Sequence, residues 1–357
     1  MGEPVKVGVI GVGMGSAHIR SFLKDQDAVE VVAVADLDTN RMDKIVGLCS
    51  EAGAAAPRCF TDYHEMLKLD DIEIVIVATP NFLHAPMAAD CLRAGKHTLV
   101  EKPPSNSVDG ARQILDAVRE TGNRCMIGLT NRFREEIQRL KVIIERDDFG
   151  QIYFAKTGWT RRRGIPIGTA QGWFLDRERS GGGPLIDLGV HVFDLTWWLM
   201  GCPRAASVTG VTYDPFIKAL KRENANVEDL AAGFVRFTNG ASLFVETSWA
   251  SHVGREGGYC QILGTKAGID VDLFPVDDGK VLKMHTEKEG DWYDITFPQF
   301  ERIDWQPVLR NQLLYFVECI REGKENMADA EQGLELMRIL CGLYESAAAG
   351  REIRLDT

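Results

Sequence analysis

Val5-Lys6-Val7-Gly8-Val9-Ile10-Gly11-Val12-Gly13-Met14-Gly15-Ser16 lies at the front of the chain and sets its architecture. Val5 to Ile10 is a short valine-rich apolar run, the mark of a buried strand. A glycine loop follows, and after it an amphipathic segment from Ser16 to Lys24. Glycines let the backbone turn tightly and approach a pyrophosphate, which the next helix N-terminus then attracts. The common spacing is G-x-G-x-x-G. Gly11 and Gly13 fit it, but its third position is Ser16, and Gly15 comes one residue early. A second strand, about Glu30 to Ala35, stops at Asp36. A carboxylate there accepts both hydroxyls of an adenosine ribose, at roughly 1.5–3 kcal/mol per charged hydrogen bond, and meets a 2′-phosphate with like charge. The loop and Asp36 point to a dinucleotide, NAD rather than NADP, with Arg41 near enough in sequence to soften that preference. The alternative for the loop alone is a tight strand-to-helix turn beside an unrelated Asp.

Outward from the loop, strand-like and helix-like segments alternate. Asn40–Ala52 and Tyr63–Leu69 read as helices, and Ile72–Ala78 as a buried strand ending at Thr79-Pro80-Asn81. Ala85–Ala94 is helix, His97–Val100 a strand ending at Glu101-Lys102-Pro103-Pro104, Val108–Thr121 helix and Arg124–Leu129 a strand. Such alternation predicts a parallel, doubly wound sheet with ligands at the carboxyl ends of its strands. Lys102 falls on that edge, between a carboxylate and two prolines that stiffen the loop. An ammonium aimed in this way can hold a reacting hydroxyl and stabilise developing negative charge.

The whole chain has 357 residues, suited to two domains. Its net charge of −11 gives no basic field for nucleic acid. No apolar run approaches the ~20 residues of a membrane span, and the N-terminus enters a strand with no signal-peptide pattern. The eight cysteines are scattered, without CxxC or Cys/His ligand spacing. The expectation is a cytoplasmic protein with free thiols and no metal site.

The second stretch that carries chemistry is Gly181-Gly182-Gly183-Pro184-Leu185-Ile186-Asp187-Leu188-Gly189-Val190-His191-Val192-Phe193-Asp194. After three glycines the run reads as a buried helix, roughly Pro184 to Met200, with Pro184 tolerated in its first turn. Asp187 and His191 are four apart, which on an α-helix puts their Cβ atoms ~6 Å apart on one face. Alone, they read equally as a buried pair that satisfies itself and as a proton-transfer pair facing a substrate. Asp194, a turn further on, reads as structural.

Gly11-Val12-Gly13, Asp36, Thr79-Pro80-Asn81 with His84, Glu101-Lys102-Pro103, and Gly181-Gly182-Gly183 through Asp187, His191 and Asp194 occur in that order over nearly the whole chain. Together they resemble the Gfo/Idh/MocA oxidoreductases, the glucose–fructose oxidoreductase and inositol dehydrogenase family. The glycine loop departs from the family pattern by being one residue tighter. The resemblance implies an α/β N-terminal Rossmann domain, residues 1–130, and a C-terminal α+β domain, residues 131–357, with a large open, mostly antiparallel sheet. The final helices would pack back on the first domain. It further implies that Lys102, Asp187 and His191 act together on a sugar or cyclitol hydroxyl, and that the Lys102–Pro103 bond is cis. Gly11, Val12, Gly13, Met14, Asp36, Arg41, Thr79, Pro80, Asn81, His84, Glu101 and Lys102 are then the expected cofactor-binding residues.

In the remainder, Arg132–Asp147 reads as an amphipathic linking helix. Ile152–Trp159 is a strand ending at Arg161-Arg162-Arg163. These arginines are either a solvated turn or a reach, by Arg162, to the cofactor or a substrate oxygen. Trp173 is either a stacking platform for a sugar or the nicotinamide, or a plug. From Ala205 to Phe297 the pattern is β-rich: Ser207–Tyr213, Val227–Phe237, Ala241–Ser251, Tyr259–Gly264, Ile269–Phe274, Val281–His285 and Trp292–Phe297. Asn239-Gly240 between alternating runs signals a hairpin. One face of the resulting sheet is expected to be covered by another subunit in a dimer or tetramer. Trp305–Glu322 and Ala330–Ala349 read as helices. The expected activity is NAD-dependent dehydrogenation of a secondary alcohol of a sugar or polyol, with His191 as general base, a residue whose ordinary pKa lies near neutral pH. Two alternatives stand beside it. One is a redox-neutral, NAD-assisted elimination or glycoside cleavage, and the other is a dinucleotide-binding sensor without turnover.

Overall fold

The computed structural model describes residues 3–167, 170–254, 256–275, 282–297 and 304–355. The chain forms two compact units: Met1–Phe133 with Asp304–Leu334, and Arg134–Ile303 with Glu335–Thr357.

The first unit holds strands β1 (Val5–Ile10), β2 (Val29–Ala35), β3 (Arg58–Phe60), β4 (Ile74–Val77), β5 (His97–Glu101) and β6 (Cys125–Gly128). Between them run helices α1 (Gly15–Phe22), α2 (Thr39–Glu51), α3 (Tyr63–Leu67), α4 (Asn81–Arg93) and α5 (Val108–Thr121). All six strands are parallel, in the order β3-β2-β1-β4-β5-β6. This is the doubly wound order, and it reverses between β1 and β4, where such sheets open a crevice for ligand. The inner strands are buried on both faces: Val7, Val9, Val75, Ile76 and Leu99 have no exposed surface. Side-chain caps start α2, α3 and α5. Asp38 accepts from the Asn40 amide, Asp62 from His64 and Ser107 from Gly110, each cap contributing about 1 kcal/mol. The edge strand β3 is one the sequence pattern missed: three residues, two of them exposed, give no periodicity to read.

The helix Trp305–Glu322 belongs to this unit, with Arg310 paired to Asp25 and Gln312 accepting from the Thr130 hydroxyl at 3.0 Å. Arg132 is fully buried and donates to the Met327 carbonyl and Gln332. That pull inward explains a departure from expectation. Thr130–Phe133 is a tight 3₁₀ turn, and the helix expected over Arg132–Asp147 runs only from Glu135 to Ile144.

The second unit holds β7 (Ile152–Thr160), β8 (Ala205–Tyr213), β9 (Leu230–Phe237), β10 (Ser242–Ser248), β11 (Gly257–Gly264), β12 (Ala267–Pro275), β13 (Leu282–Lys288), β14 (Asp291–Thr296) and β15 (Ile353–Arg354). Val281, the expected start of β13, lies outside the described residues. The sheet order is β14-β13-β12-β11-β7-β10-β9-β8-β15, antiparallel except for the β7–β10 pair. The Asn239-Gly240 turn joins β9 to β10 as expected, with Gly240 at φ +87°. Strand alternation sends Ala155, Val235, Leu243, Val245 and Ile262 to a buried face. The helix Val190–Leu199 packs on that face against β7 and β11, and the Thr157 hydroxyl donates to the Val192 carbonyl at 3.2 Å. Among the described residues no helix is long and apolar enough to cross a membrane.

Candidate active site

In the first unit the glycine loop leaves β1 and enters α1. Gly11 has φ +85°, and a Cβ there would lie 2.7 Å from the Ala78 carbonyl oxygen. Only glycine lets the loop lie this close to the end of β4. Gly15 settles the spacing problem. It is the first residue of α1, and a Cβ on it would come within 2.6 Å of Val9 Cγ1. It thus takes the third glycine's role of close helix–strand packing, one residue early. The Val12 amide donates to Asp36 Oδ2 at 2.9 Å, and the Asp38 amide to Asp36 Oδ1 at 2.9 Å. Asp36 is therefore held by its own loops, with a lone pair left on each oxygen. Arg41 Nη1 lies 4.0 Å from Asp36, and Met14 is exposed in the loop.

One buried histidine joins the ends of β4 and β5, and a second joins α1 to β5. His84 Nδ1 lies 2.7 Å from the Pro103 carbonyl oxygen and Nε2 2.6 Å from that of Thr79. Burial holds its pKa below the ordinary value despite both carbonyls. His18, on α1, lies 2.7 Å by its Nε2 from Glu101 Oε1, while Glu101 Oε2 accepts from the Lys102 amide at 3.1 Å. Burial pushes the Glu101 carboxyl up, but the His18 hydrogen bond and the charges of His18, Lys102 and His84 outweigh it and hold the pKa below its ordinary value. The Lys102–Pro103 bond is cis. Thr79 Oγ1 and His18 Nδ1 are buried with no hydrogen-bond partner among the described residues. Orphaned polar atoms beside a loop that excludes side chains fit a dinucleotide held by Gly11, Val12, Gly13 and Asp36, with Pro80 and Asn81 opening α4 alongside.

In the second unit, the run after the three glycines is not one regular α-helix. Leu185–Gly189 is a π-helical turn, and the α-helix begins at Val190. The α-helical spacing assumed for Asp187 and His191 is corrected accordingly; widened turns of this kind recur at functional sites. Both side chains are half-buried within an otherwise buried segment. The Trp249 indole N–H donates to Asp187 Oδ2 at 2.9 Å, and the ring of His191 lies 6.2 Å from that of Trp159. Asp194 is buried, 2 % exposed.

Sequence reasoning missed the group that anchors this turn. Glu228, buried, accepts from the amides of Gly183 at 2.9 Å and Leu185 at 3.1 Å, and from the Tyr344 hydroxyl at 2.7 Å. It caps the start of the helical run and so meets the orphan amides found there. Burial pushes its carboxyl up against these three donors, and burial with the adjacent carboxylate keeps the Tyr344 phenol well above its ordinary pKa, so it remains a donor. The glycines now have a reason. A Cβ on Gly182 would strike the Tyr344 hydroxyl, and one on Gly183 the Glu228 carbonyl. Only the Glu228-Asp229 doublet could have hinted at this cap, and nothing near it in sequence names its partners.

Of the other expected site residues, Arg162 is engaged locally. Its Nε donates to the Val253 carbonyl at 2.8 Å, its Nη2 to Gly254 at 3.2 Å, and its amide to Glu256. Trp173 is 8 % exposed and stacked on Phe174, ring centroids 4.0 Å apart.

A Rossmann unit followed by a mixed-sheet unit bearing an Asp/His helix defines a two-part, dinucleotide-dependent oxidoreductase. The chain belongs to the Gfo/Idh/MocA oxidoreductase family. Residues 5–129 match its NAD-binding Rossmann domain and residues 141–355 its C-terminal alpha/beta domain. It is 29% identical to the D-glucoside 3-dehydrogenase of Escherichia coli (strain K12), over 99% of this chain and 98% of that protein. It is 27% identical to the scyllo-inositol 2-dehydrogenase (NAD(+)) of Bacillus subtilis (strain 168), over 100% of this chain and 98% of the other. Its fold matches that of a levoglucosan dehydrogenase solved with NADH, at a TM-score of 0.86 and 21% identity, over 99% of this chain and 100% of that one.

Proposed function

We propose that this NAD-dependent oxidoreductase oxidises a secondary hydroxyl of a sugar, sugar derivative or cyclitol, or reduces the corresponding ketone, and works as a homo-oligomer. The observation that carries the reading is a half-buried His191 following, in one helical run, an Asp187 carboxylate that the Trp249 indole holds in place. His191 takes the hydroxyl proton as general base, a contribution of typically ~10²–10⁴-fold. Asp187, oriented by Trp249, holds the imidazole or a neighbouring substrate hydroxyl. Lys102, on the turn fixed by Glu101 and His84, binds the reacting oxygen and shares the proton. Bound NAD supplies the hydride acceptor. The relatives named above as acting on a glucoside and an inositol support a polyol substrate.

His191→Ala and Lys102→Ala are each expected to lower turnover by at least ~10², while NADH still binds, as read by fluorescence titration. Turnover near that of the parent in either variant would sink the assigned role. Steady-state release of NADH with a sugar panel separates net oxidation from a redox-neutral cycle, in which NADH does not accumulate.

A further inference from the structure

Three arginines in a row end β7, and they are not equivalent. Arg162 is occupied by the carbonyls of Val253 and Gly254. Arg163 lies over the Phe216 ring, guanidinium carbon to centroid 5.3 Å, with Nη1 donating to the Arg162 carbonyl at 2.7 Å. Its Nη2 is 3.4 Å from His252 Nε2. Arg161 is different. Its backbone is fixed, the amide donating to Ser248 at 2.9 Å and the carbonyl accepting from the Ser251 hydroxyl at 3.1 Å. Its half-buried guanidinium lies over Trp159, 4.9 Å from the ring centroid, and among the described residues it makes no hydrogen bond or ion pair. That same indole is the ring 6.2 Å from His191. Trp159 also packs on the apolar cluster of Leu188 and Trp249, the residues beside and against Asp187.

The carboxylates around this wall have partners of their own. Asp187 takes the Trp249 indole, Glu256 the Arg162 amide, and Asp229 the amides of Phe216 and Ile217. A guanidinium on an aromatic face has its rotamers restricted and its five N–H donors pointing outward in a planar fork. Without an acceptor among the described residues, it is a prepared seat for a planar or tetrahedral anion, with Arg163 adding positive charge along the same wall.

We propose that Arg161 is a specificity-determining residue that receives an anionic group, carboxylate or phosphate, carried by the substrate sugar, while His191 meets the hydroxyl to be oxidised. The preferred substrate class is then an anionic sugar, such as a uronate or a sugar phosphate, rather than a neutral hexose or inositol. This deepens the sugar-dehydrogenase reading and rests on it.

The test uses the full chain with NADH present and reads binding by calorimetry and tryptophan quenching, so that it does not depend on turnover. The probes are glucuronate, glucose 6-phosphate and methyl glucoside. At least one anion is expected to bind more tightly than methyl glucoside by about 10–100-fold, the ratio that a bidentate charged hydrogen bond supports. Arg161→Ala should abolish that margin and leave the affinity for NADH unchanged. Arg161→Lys should keep part of it, since a point charge replaces the fork. The stronger anion tells carboxylate from phosphate recognition. Equal binding of all three probes, no binding by either anion, or an unchanged margin in Arg161→Ala overturns the proposal. So does a loss of NADH affinity in Arg161→Ala, which would assign the guanidinium to a cofactor phosphate. Anion binding that depends on Arg161 upholds this site by itself; in a separate assay with NAD, a failure of every sugar in the panel to yield NADH would overturn the dehydrogenase reading and leave the site standing.

Discussion

Glu101 is the residue on which the lysine turn depends. Its carboxylate joins α1, through His18, to the backbone of Lys102, and it does so while buried. Its folded-state pKa lies below the ordinary 4.5. A depressed acid pKa stabilises the folded state above the unfolded value and loses that contribution as pH falls through the folded one. Glu101→Gln is therefore expected to unfold at lower urea than the parent at pH 7, by about 1–3 kcal/mol. The gap should begin to close below about pH 4.5 as the parent's carboxylate protonates. Urea midpoints of both proteins at pH 7 and pH 4 check this, and a gap that stays constant would show that the charge is not what stabilises the turn. The same scale explains why Asp36 was readable and His18 was not. Asp36 ends a strand at a spacing that has a chemical reason, whereas the partner of His18 lies 83 residues away.

At the scale of elements, the second unit sets its Asp/His run from its first turn. Glu228 and Tyr344 reach the start of that run from two distant segments, and a shift there moves Asp187 and His191 together. Tyr344→Phe removes one donor and is expected to cost about 1.5–3 kcal/mol of stability. Glu228→Gln sets an amide NH₂ against a backbone N–H and should cost more. Both should lower kcat more than they raise KM and leave NADH affinity intact, since these residues position others. Stability loss with unchanged kcat would confine them to a structural role. What the sequence could not show here has one physical origin. Periodicity of 2 or 3.6 marks strands and helices, so the alternation of the first unit, the Asn239-Gly240 hairpin and the long helices were legible. The register of hydrogen bonds within a helix is not written in that periodicity, so the pattern predicts ordinary α-helix where the chain makes the π turn at Leu185–Gly189. Likewise the roles of Trp249 and Glu228 come from contacts across 62 and 43–45 residues, which no local pattern reports. Arg162, favoured among the three arginines, has its side chain occupied by the carbonyls of Val253 and Gly254, contacts that no local pattern reports.

For the molecule as a whole, the open question is what meets the larger sheet. Its strands alternate, and the face opposite the buried one carries Phe154, Phe234 and Phe244 on neighbouring strands, with the Phe154 and Phe234 rings 6.3 Å apart. Lys156 and Arg236 lie over two of those rings. At one end of the sheet, β14 exposes Trp292 to 81 %, with Tyr293 and Ile295 also exposed. Monomeric proteins seldom leave contiguous apolar surface of more than a few hundred Å² in water, and an uncovered edge strand invites pairing. A second copy is the occupant that a closed, symmetric assembly supplies without any further partner. Sedimentation at micromolar concentration is therefore expected to show a dimer or tetramer. Phe244→Lys puts a charge in the middle of the aromatic face and should shift the mass toward a single chain. NADH should still bind, because the glycine loop and Asp36 belong to the other unit. A single-chain mass for the parent protein at tens of micromolar, or a Phe244→Lys variant that assembles like the parent, would remove the sheet face as the interface.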